Sequence, residues 1–396
     1  MSPEERRSNL VAVVAALSVA ALIYGLSLPL LSLVMHQRGV DGTLIGISAA
    51  MQSAAIVLVS PFLPKYMSRV GPAVLMLGAI LVSLVAFLLL PVFTSISAWF
   101  ALRFVIGAAG SCLWVCGEAW VNQVASDATR GRVVALYSMA VAAGFSLGPL
   151  LLSITGSAGF TPFLAAGAIM LLAALPLLTV IRIAPRMHGE RAGGLLHYLR
   201  LAPVAMLLCA LYAITEGIVL TFLPLYGLGV GLSEPRALYL ITLMGIGGIV
   251  GQLPIGWLAD HMNRMLLAAL CTLLVAIAAA AMPMVLTHHP WNLLFMLAYG
   301  AVISAIYTVG MVIIGERFRG ADLAAASALF GVMWGSGSIL GPPIGGLAMD
   351  LHPHGVPLAL ALLFVLFLPL PAGAWLRHLT RSAPGAAERG GPRPRA

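Results

Sequence analysis

The chain of 396 residues is 61% hydrophobic and 9% charged, with 21 Lys and Arg against 13 Asp and Glu and a net charge of +8. Globular chains hold about 25% charged residues, so these few cannot cover a soluble surface, and a mean hydropathy of +1.04 leaves the lipid bilayer as the solvent. The basic residues fall in short bursts between apolar runs and form no patch, which excludes a nucleic-acid partner.

In chain order, the opening MSPEERRSNL precedes an apolar run too long for the h-region of a signal peptide, and this run is the first expected span. Cutting the remainder at charged, Pro/Gly and His-rich breaks predicts twelve spans, at 10–35, 42–64, 71–93, 97–123, 131–154, 160–182, 201–227, 236–259, 265–287, 290–316, 322–349 and 355–379. All are expected to be helices, because barrel strands would alternate in hydrophobicity and no segment does. Cys112, Cys116, Cys209 and Cys271 lie inside apolar runs, in neither a disulfide framework nor a zinc-site spacing.

Orientation follows from the loops. The two termini and the even-numbered loops hold eighteen of the Lys and Arg, among them Arg6, Lys65, Arg132, Arg186, Arg200, Arg264, Arg319 and Arg381. The other side holds only Arg38 and Arg236, and Arg103 is inside a span. The positive-inside rule then predicts a multi-pass cell-membrane protein, in a bacterium the inner membrane, with both termini cytoplasmic. Trp99 and Trp291 fall at outer span ends and Trp120, Trp257 and Trp375 at inner ends, where an aromatic belt is expected.

The two halves echo each other. Ala135-Leu136-Tyr137, Gly144 and Gly148-Pro149 recur 193 residues later as Ala328-Leu329-Phe330, Gly337 and Gly341-Pro342. The expectation is an all-α integral membrane fold of two pseudo-symmetric six-helix bundles. The N-terminal bundle is 1–182, a cytoplasmic linker 183–200, the C-terminal bundle 201–381 and a disordered cytoplasmic tail 382–396.

Several motifs carry a family resemblance. Gly256-Trp257-Leu258-Ala259-Asp260-His261-Met262-Asn263-Arg264 resembles the G-x-L-A-D-r-x-G-R signature between helices 8 and 9 of the major facilitator superfamily, with Asn263 where Gly is usual. The first-half counterpart, Pro61 to Arg69, is degenerate and has Lys65 in place of the acid. Arg103-Phe104-Val105-Ile106-Gly107 resembles the R-x-x-x-G motif of proton-driven branches. Gly144-x-x-x-Gly148-Pro149 and Gly337-x-x-x-Gly341-Pro342-Pro343-x-Gly345-Gly346 resemble a motif of its antiporters, complete only in the second half, where those antiporters do not normally carry it. Small residues at that spacing also serve close helix packing in any transporter.

Along nearly its whole length the chain resembles this superfamily, with motifs like those of its proton-coupled drug and metabolite antiporters. The resemblance implies a conformational switch built on Asp260, Arg264, Gly256, Gly148, Pro149, Gly341 and Pro342. Asp260, at the membrane edge, is placed to accept from the N–H groups of the next helix or to pair with Arg264, Arg317 or Arg319 when the halves close inside.

Three charged residues lie within the spans away from their ends: Arg103, Glu118 and Glu216. Charges in hydrocarbon are costly and face a cavity or a partner. Arg103 is expected to hold an anionic group, to tune a nearby carboxylate, or to serve as a structural ion pair. Glu216, one turn from Tyr212, is the expected proton carrier, because a buried carboxylate changes its proton affinity with access. Glu118 lies about 22 Å along the helix from Arg103, which excludes a direct pair, and is either functional or a partner of Lys65, Arg69 or Arg132. Trp114, Trp334, Tyr24, Tyr137, Tyr299 and Tyr307 lie within spans and either line a cavity for a flat or amphipathic solute or pack, and Gln52 and Gln252 are the deeper polar candidates.

The remaining patterns carry little. His36-x-x-x-x-Asp41 has no domain to hold a catalytic pair, and His288-His289 and His352-Pro353-His354 read as loop residues. No phosphate-binding G-x-x-x-x-G-K-[ST] occurs, so a gradient must supply the energy. The expected function is secondary transport of a small organic solute by a monomer, with protons or sodium as coupling ion and export favoured over uptake. An intramembrane enzyme or a channel is the different-class alternative, and no catalytic residue, metal or cofactor is expected.

Overall fold

The computed structural model describes residues 3–125, 130–181 and 196–382. The first half comprises α1 (Pro3–Gln37), α2 (Gly42–Val59), α3 (Leu63–Val70), α4 (Pro72–Leu89), α5 (Ile96–Val124), α6 (Arg130–Thr155) and α7 (Thr161–Val180). A short α8 (Leu196–Leu201) leads into the second half, which comprises α9 (Pro203–Gly229), α10 (Glu234–His261), α11 (Arg264–Val285), α12 (Trp291–Arg317), α13 (Gly320–Leu351), α14 (Gly355–Phe367) and α15 (Pro369–Ser382). No strand occurs among the described residues. The linker's 183–195 and all but the first residue of the expected tail lie outside them.

Local chemistry explains the boundaries. Asp41 caps α2 by accepting from the Leu44 N–H at 2.8 Å. Pro72, Pro162 and Pro203 sit in first turns, where the missing N–H is not needed. The expected second span is divided: Pro61 and Pro64 interrupt the backbone ladder, so a 3-10 turn at Ser60–Phe62 separates α2 from α3. The expected twelfth span likewise divides between α14 and α15 at Pro369.

Among the described residues, eleven helical stretches are long and apolar enough to cross a membrane. The expected eleventh span lies in α13, a helix of 32 residues. This helix packs on both α9 and α2, so protein replaces lipid along much of its surface.

The packing repeats between halves. In the first, α1 lies on α6, α2 on α5, and α4 on α7; in the second, α9 lies on α13, α10 on α12, and α11 on α14. The halves meet through α2 with α13, α6 with α10, and α1 with α9. The 193-residue echo has a steric basis in the α1–α6 and α9–α13 pairs. A Cβ on Gly144 would lie 2.3 Å from the Ser18 carbonyl oxygen, and one on Gly337 would lie 2.4 Å from that of Ala210. One turn on, Gly148 meets the Leu22 carbonyl oxygen at 2.5 Å and Gly341 that of Ile214 at 2.3 Å. These glycines allow backbones to touch, as small residues do in lipid, where no hydrophobic force draws helices together.

Two expected belt tryptophans are not in the belt. Trp99 is 1% exposed and donates to the Phe93 carbonyl at 2.8 Å, with the Arg38 guanidinium over its ring. Trp120 is buried and donates to Asn9 Oδ1 at 3.0 Å. Both indole N–H groups find protein partners, so they need no headgroup. Trp257 and Trp291 are exposed.

Candidate functional site

The cleft between the halves is closed at the arginine-poor end by two carboxylates of the second half. Asp350, in the last turn of α13, accepts from the Gly42 N–H at 2.8 Å, the Thr43 N–H at 2.8 Å and the Thr43 hydroxyl at 2.7 Å. Glu234, opening α10, accepts from the Ser157 N–H at 2.8 Å and its hydroxyl at 2.9 Å. Asp350 thus serves the α2 N-terminus, where N–H groups are unpaired and the helix dipole favours an anion. Sequence reasoning missed both acids, since at span ends they read as solvated loop charges. Tight glycine contacts continue below the clasp: Gly46 lies against Pro342, and Gly245 against Ser146.

Burial raises the Asp350 carboxyl, but the hydrogen bonds from Thr43 and Gly42 outweigh it and hold the group below its ordinary 3.8. A lowered value means the ionised clasp contributes fully above the ordinary range and loses its contribution only as pH falls through the lowered value. The clasp is therefore intact at neutral and mildly acidic pH. Asp350→Asn should shift the resting population toward opening at this end by about two- to five-fold, the scale of an exposed charge-assisted contact. Accessibility of a cysteine at Ala50, now 4% exposed, measures this; unchanged labelling would remove the clasp role.

Toward the basic end the cleft is walled by the predicted polar residues. Glu118, on α5, is exposed and accepts from the Tyr137 hydroxyl of α6 at 3.2 Å, rather than from Lys65, Arg69 or Arg132. Tyr307 of α12 lies in electrostatic reach of Glu118 from the opposite half, and also of Glu216. Its ring is 5.3 Å from Tyr212 and 5.2 Å from Phe330. Glu216 is half-buried in the middle of α9, accepts from the Tyr212 hydroxyl at 3.3 Å, and has the Trp334 indole beside its carboxylate. Gln252 is exposed, two turns from Gly245 on the face of α10 turned to α6, so it borders the cleft.

Deeper still, Tyr24 of α1 lies in reach of both Glu216 and Arg103 and carries the series from one half to the other. It packs edge-on against Phe145 at 5.5 Å, and Trp114 stacks on the same ring at 6.0 Å. Tyr24, Gln52 and Trp114 line a narrow cavity of about 50 Å³ inside the first bundle. Tyr299 is 1% exposed and packs against Phe295. The structure thus arranges Glu118, Tyr137, Tyr307, Tyr212, Glu216, Trp334, Tyr24 and Arg103 from the basic end toward the arginine-poor end.

The expected switch residues are placed differently from one another. Asp260 is exposed and neither caps α11 nor pairs with Arg264. Asn263 supplies the cap, accepting from Met265 N–H at 3.0 Å and Leu266 N–H at 3.2 Å, which gives the Gly-to-Asn departure a structural role. Arg264 pairs with Glu316 of α12. Gly256 faces open space, whereas Gly148 and Gly341 are packed as above, and Pro342 presses on Gly46 and Gly217. Pro149 is buried inside α6.

A sequence model described as Major Facilitator Superfamily matches residues 13–306 and 239–395. The chain is 26% identical over 349 residues to an uncharacterized MFS-type transporter, YfkF, of Bacillus subtilis strain 168, covering 84% of this chain and 86% of that one. It is 29% identical over 256 residues to the uncharacterized MFS-type transporter YcaD of Escherichia fergusonii, covering 64% and 66%. Among solved structures it is similar to a bacterial homolog of the human lysosomal transporter Spinster, inward-facing and unoccupied, with a TM-score of 0.72 and 14% identity over 96% of both chains. It is also similar to a mutant of the nucleoside transporter NupG, with a TM-score of 0.76 and 13% identity over 95% of this chain and 100% of that one.

Proposed function

Because the chain belongs to the Major Facilitator Superfamily, a family of membrane transporters rather than enzymes, we propose that it exports a small organic solute by alternating access in exchange for protons. The observation that carries the coupling is Glu216: a carboxylate at mid-helix depth, on the wall between the halves, with tyrosine and indole neighbours. No Lys or Arg among the described residues is paired with it. Such a group holds a proton when its surroundings are dry and releases it when water enters, so its state follows which side is open. The surrounding rings, Tyr24, Tyr212, Tyr307 and Trp334, suit a flat or amphipathic solute. Export is supported by the resemblance of the Gly-Pro segments to antiporter motifs, while their packing explains the glycines without it.

Proteoliposomes with an imposed pH gradient test this reading. A fluorescent aromatic solute with no titratable group should accumulate in acid-interior vesicles above the level of protein-free ones, and dissipating the gradient should remove the excess. Accumulation indifferent to the gradient would leave a facilitator.

The lysine and arginine distribution supports a cytoplasmic position for the basic end of the cleft. Because the four native cysteines are buried, single cysteines at Arg319 and His289 report sidedness against a low background. Arg319→Cys should label only from the cytoplasm and His289→Cys only from outside. Labelling of both from one side would overturn this topology.

A further inference from the structure

Arg103 is the one residue of the cleft series whose chemistry is unspent. Its side chain is 0% exposed, and none of its three guanidinium nitrogens has a hydrogen-bond partner among the described residues. Among the described residues Tyr24 is the one titratable group in its electrostatic reach, and no carboxylate there compensates it. Two further buried polar atoms in the same region are also unpartnered: Ser48 Oγ on a residue 0% exposed, and Gln52 Oε1 on a residue 3% exposed. Their proximity follows from register. A Cβ on Gly107 of α5 would lie 2.1 Å from the Gln52 carbonyl oxygen of α2. The two helices run in the same direction, so the residues one turn back, Arg103 and Ser48, share the next layer toward the arginine-poor end. Beside them lies the cavity of about 50 Å³ lined by Gln52, Tyr24, Ser27, Ser83 and Trp114.

A buried cation with five N–H donors and no acceptor is among the costliest arrangements in a membrane protein, and one anionic group removes most of that cost. We infer that Arg103, Ser48 and Gln52 form a binding site for a compact monovalent anion, about 10 Å below the arginine-poor end of α5. Arg103 donates two hydrogen bonds, Ser48 donates its hydroxyl, and the Gln52 amide turns to present its N–H group. The adjoining cavity, lined by Gln52 but not by Arg103 or Ser48, has room for a group the size of one or two water molecules, so an anion seated between it and Arg103 is the size of a carboxylate or chloride rather than of a phosphate ester. The anion is either the carboxylate end of the transported solute or a free inorganic ion. In the first case the site rests on the carrier reading above and assigns the solute an anionic end; in the second it stands without it.

The test is thermal stabilisation of the purified full-length protein at constant ionic strength, with the HEPES sulfonate, a head group as large as a phosphate, as the reference anion, titrated with chloride and separately with benzoate. Saturable stabilisation by either anion is expected in the wild type and in Glu216→Gln alike, so failure of the proton reading does not touch it. Arg103→Gln should weaken apparent affinity at least about ten-fold, and Arg103→Lys less, because a lysine keeps the charge but not the fork. Ser48→Ala and Gln52→Ala, milder changes that keep the charge, should each weaken it by about three-fold or more, and they decide the matter if Arg103→Gln does not fold. Stabilisation by benzoate with benzoate counterflow in proteoliposomes identifies the solute's carboxylate; stabilisation by chloride alone identifies a resident ion. The site is overturned if neither anion stabilises the wild type, or if the Ser48 and Gln52 variants respond as the wild type does.

Discussion

Glu216→Gln is expected to abolish accumulation driven by a pH gradient while leaving solute exchange intact. One proton exchanged for one neutral solute supports about a ten-fold concentration ratio for each pH unit imposed, because that unit is worth about 1.4 kcal/mol. The glutamine keeps the size and hydrogen-bonding oxygen that face the Tyr212 hydroxyl, at 3.3 Å in the wild type, so the site retains its shape. It cannot take or lose a proton, so the ratio should fall to one whatever the gradient. Accumulation by Glu216→Gln with the wild-type gradient dependence would transfer the role to Glu118. That residue is reached from the opposite half by the same Tyr307 and bonded to Tyr137.

Gly46→Leu should hold the arginine-poor end open and cut turnover at least about ten-fold. A Cβ at Gly46 would meet the Pro342 carbonyl oxygen at 2.3 Å, its carbonyl carbon at 2.7 Å and the Pro343 Cα at 2.9 Å. These are backbone atoms of α13 and cannot turn aside. Forcing a side chain into such a contact costs about 1–3 kcal/mol, or about 5- to 150-fold in the balance between closed and open states. The cysteine at Ala50, one turn along the same face, should then label readily from the arginine-poor side. Gly78→Ala, where nothing lies within 4 Å of the added atom, serves as the control and should behave as wild type. Normal turnover by Gly46→Leu would mean that this glycine contact is not what closes the cleft.

The amino-acid sequence by itself determined the solvent, the helical class and the two-fold repeat. Each follows from how many apolar residues a stretch must hold to exchange water for lipid, a property of neighbours in the chain. It also singled out Arg103, Glu118 and Glu216, because a charge inside an apolar run is visible without a fold. What those charges touch was decided only by tertiary structure. Tyr307 joins the surroundings of Glu118 and Glu216 although the three sit on different helices and in both halves. Asn263 and Glu316, rather than Asp260, serve the start of α11. Asp350 and Glu234, which read as loop charges, close one end of the cleft on residues 307 and 77 positions away in the chain. Partners at such separations depend on how whole helices and halves are set against each other. Lipid, which is equally apolar on every side of a helix, imposes no pattern on the sequence that would reveal that arrangement.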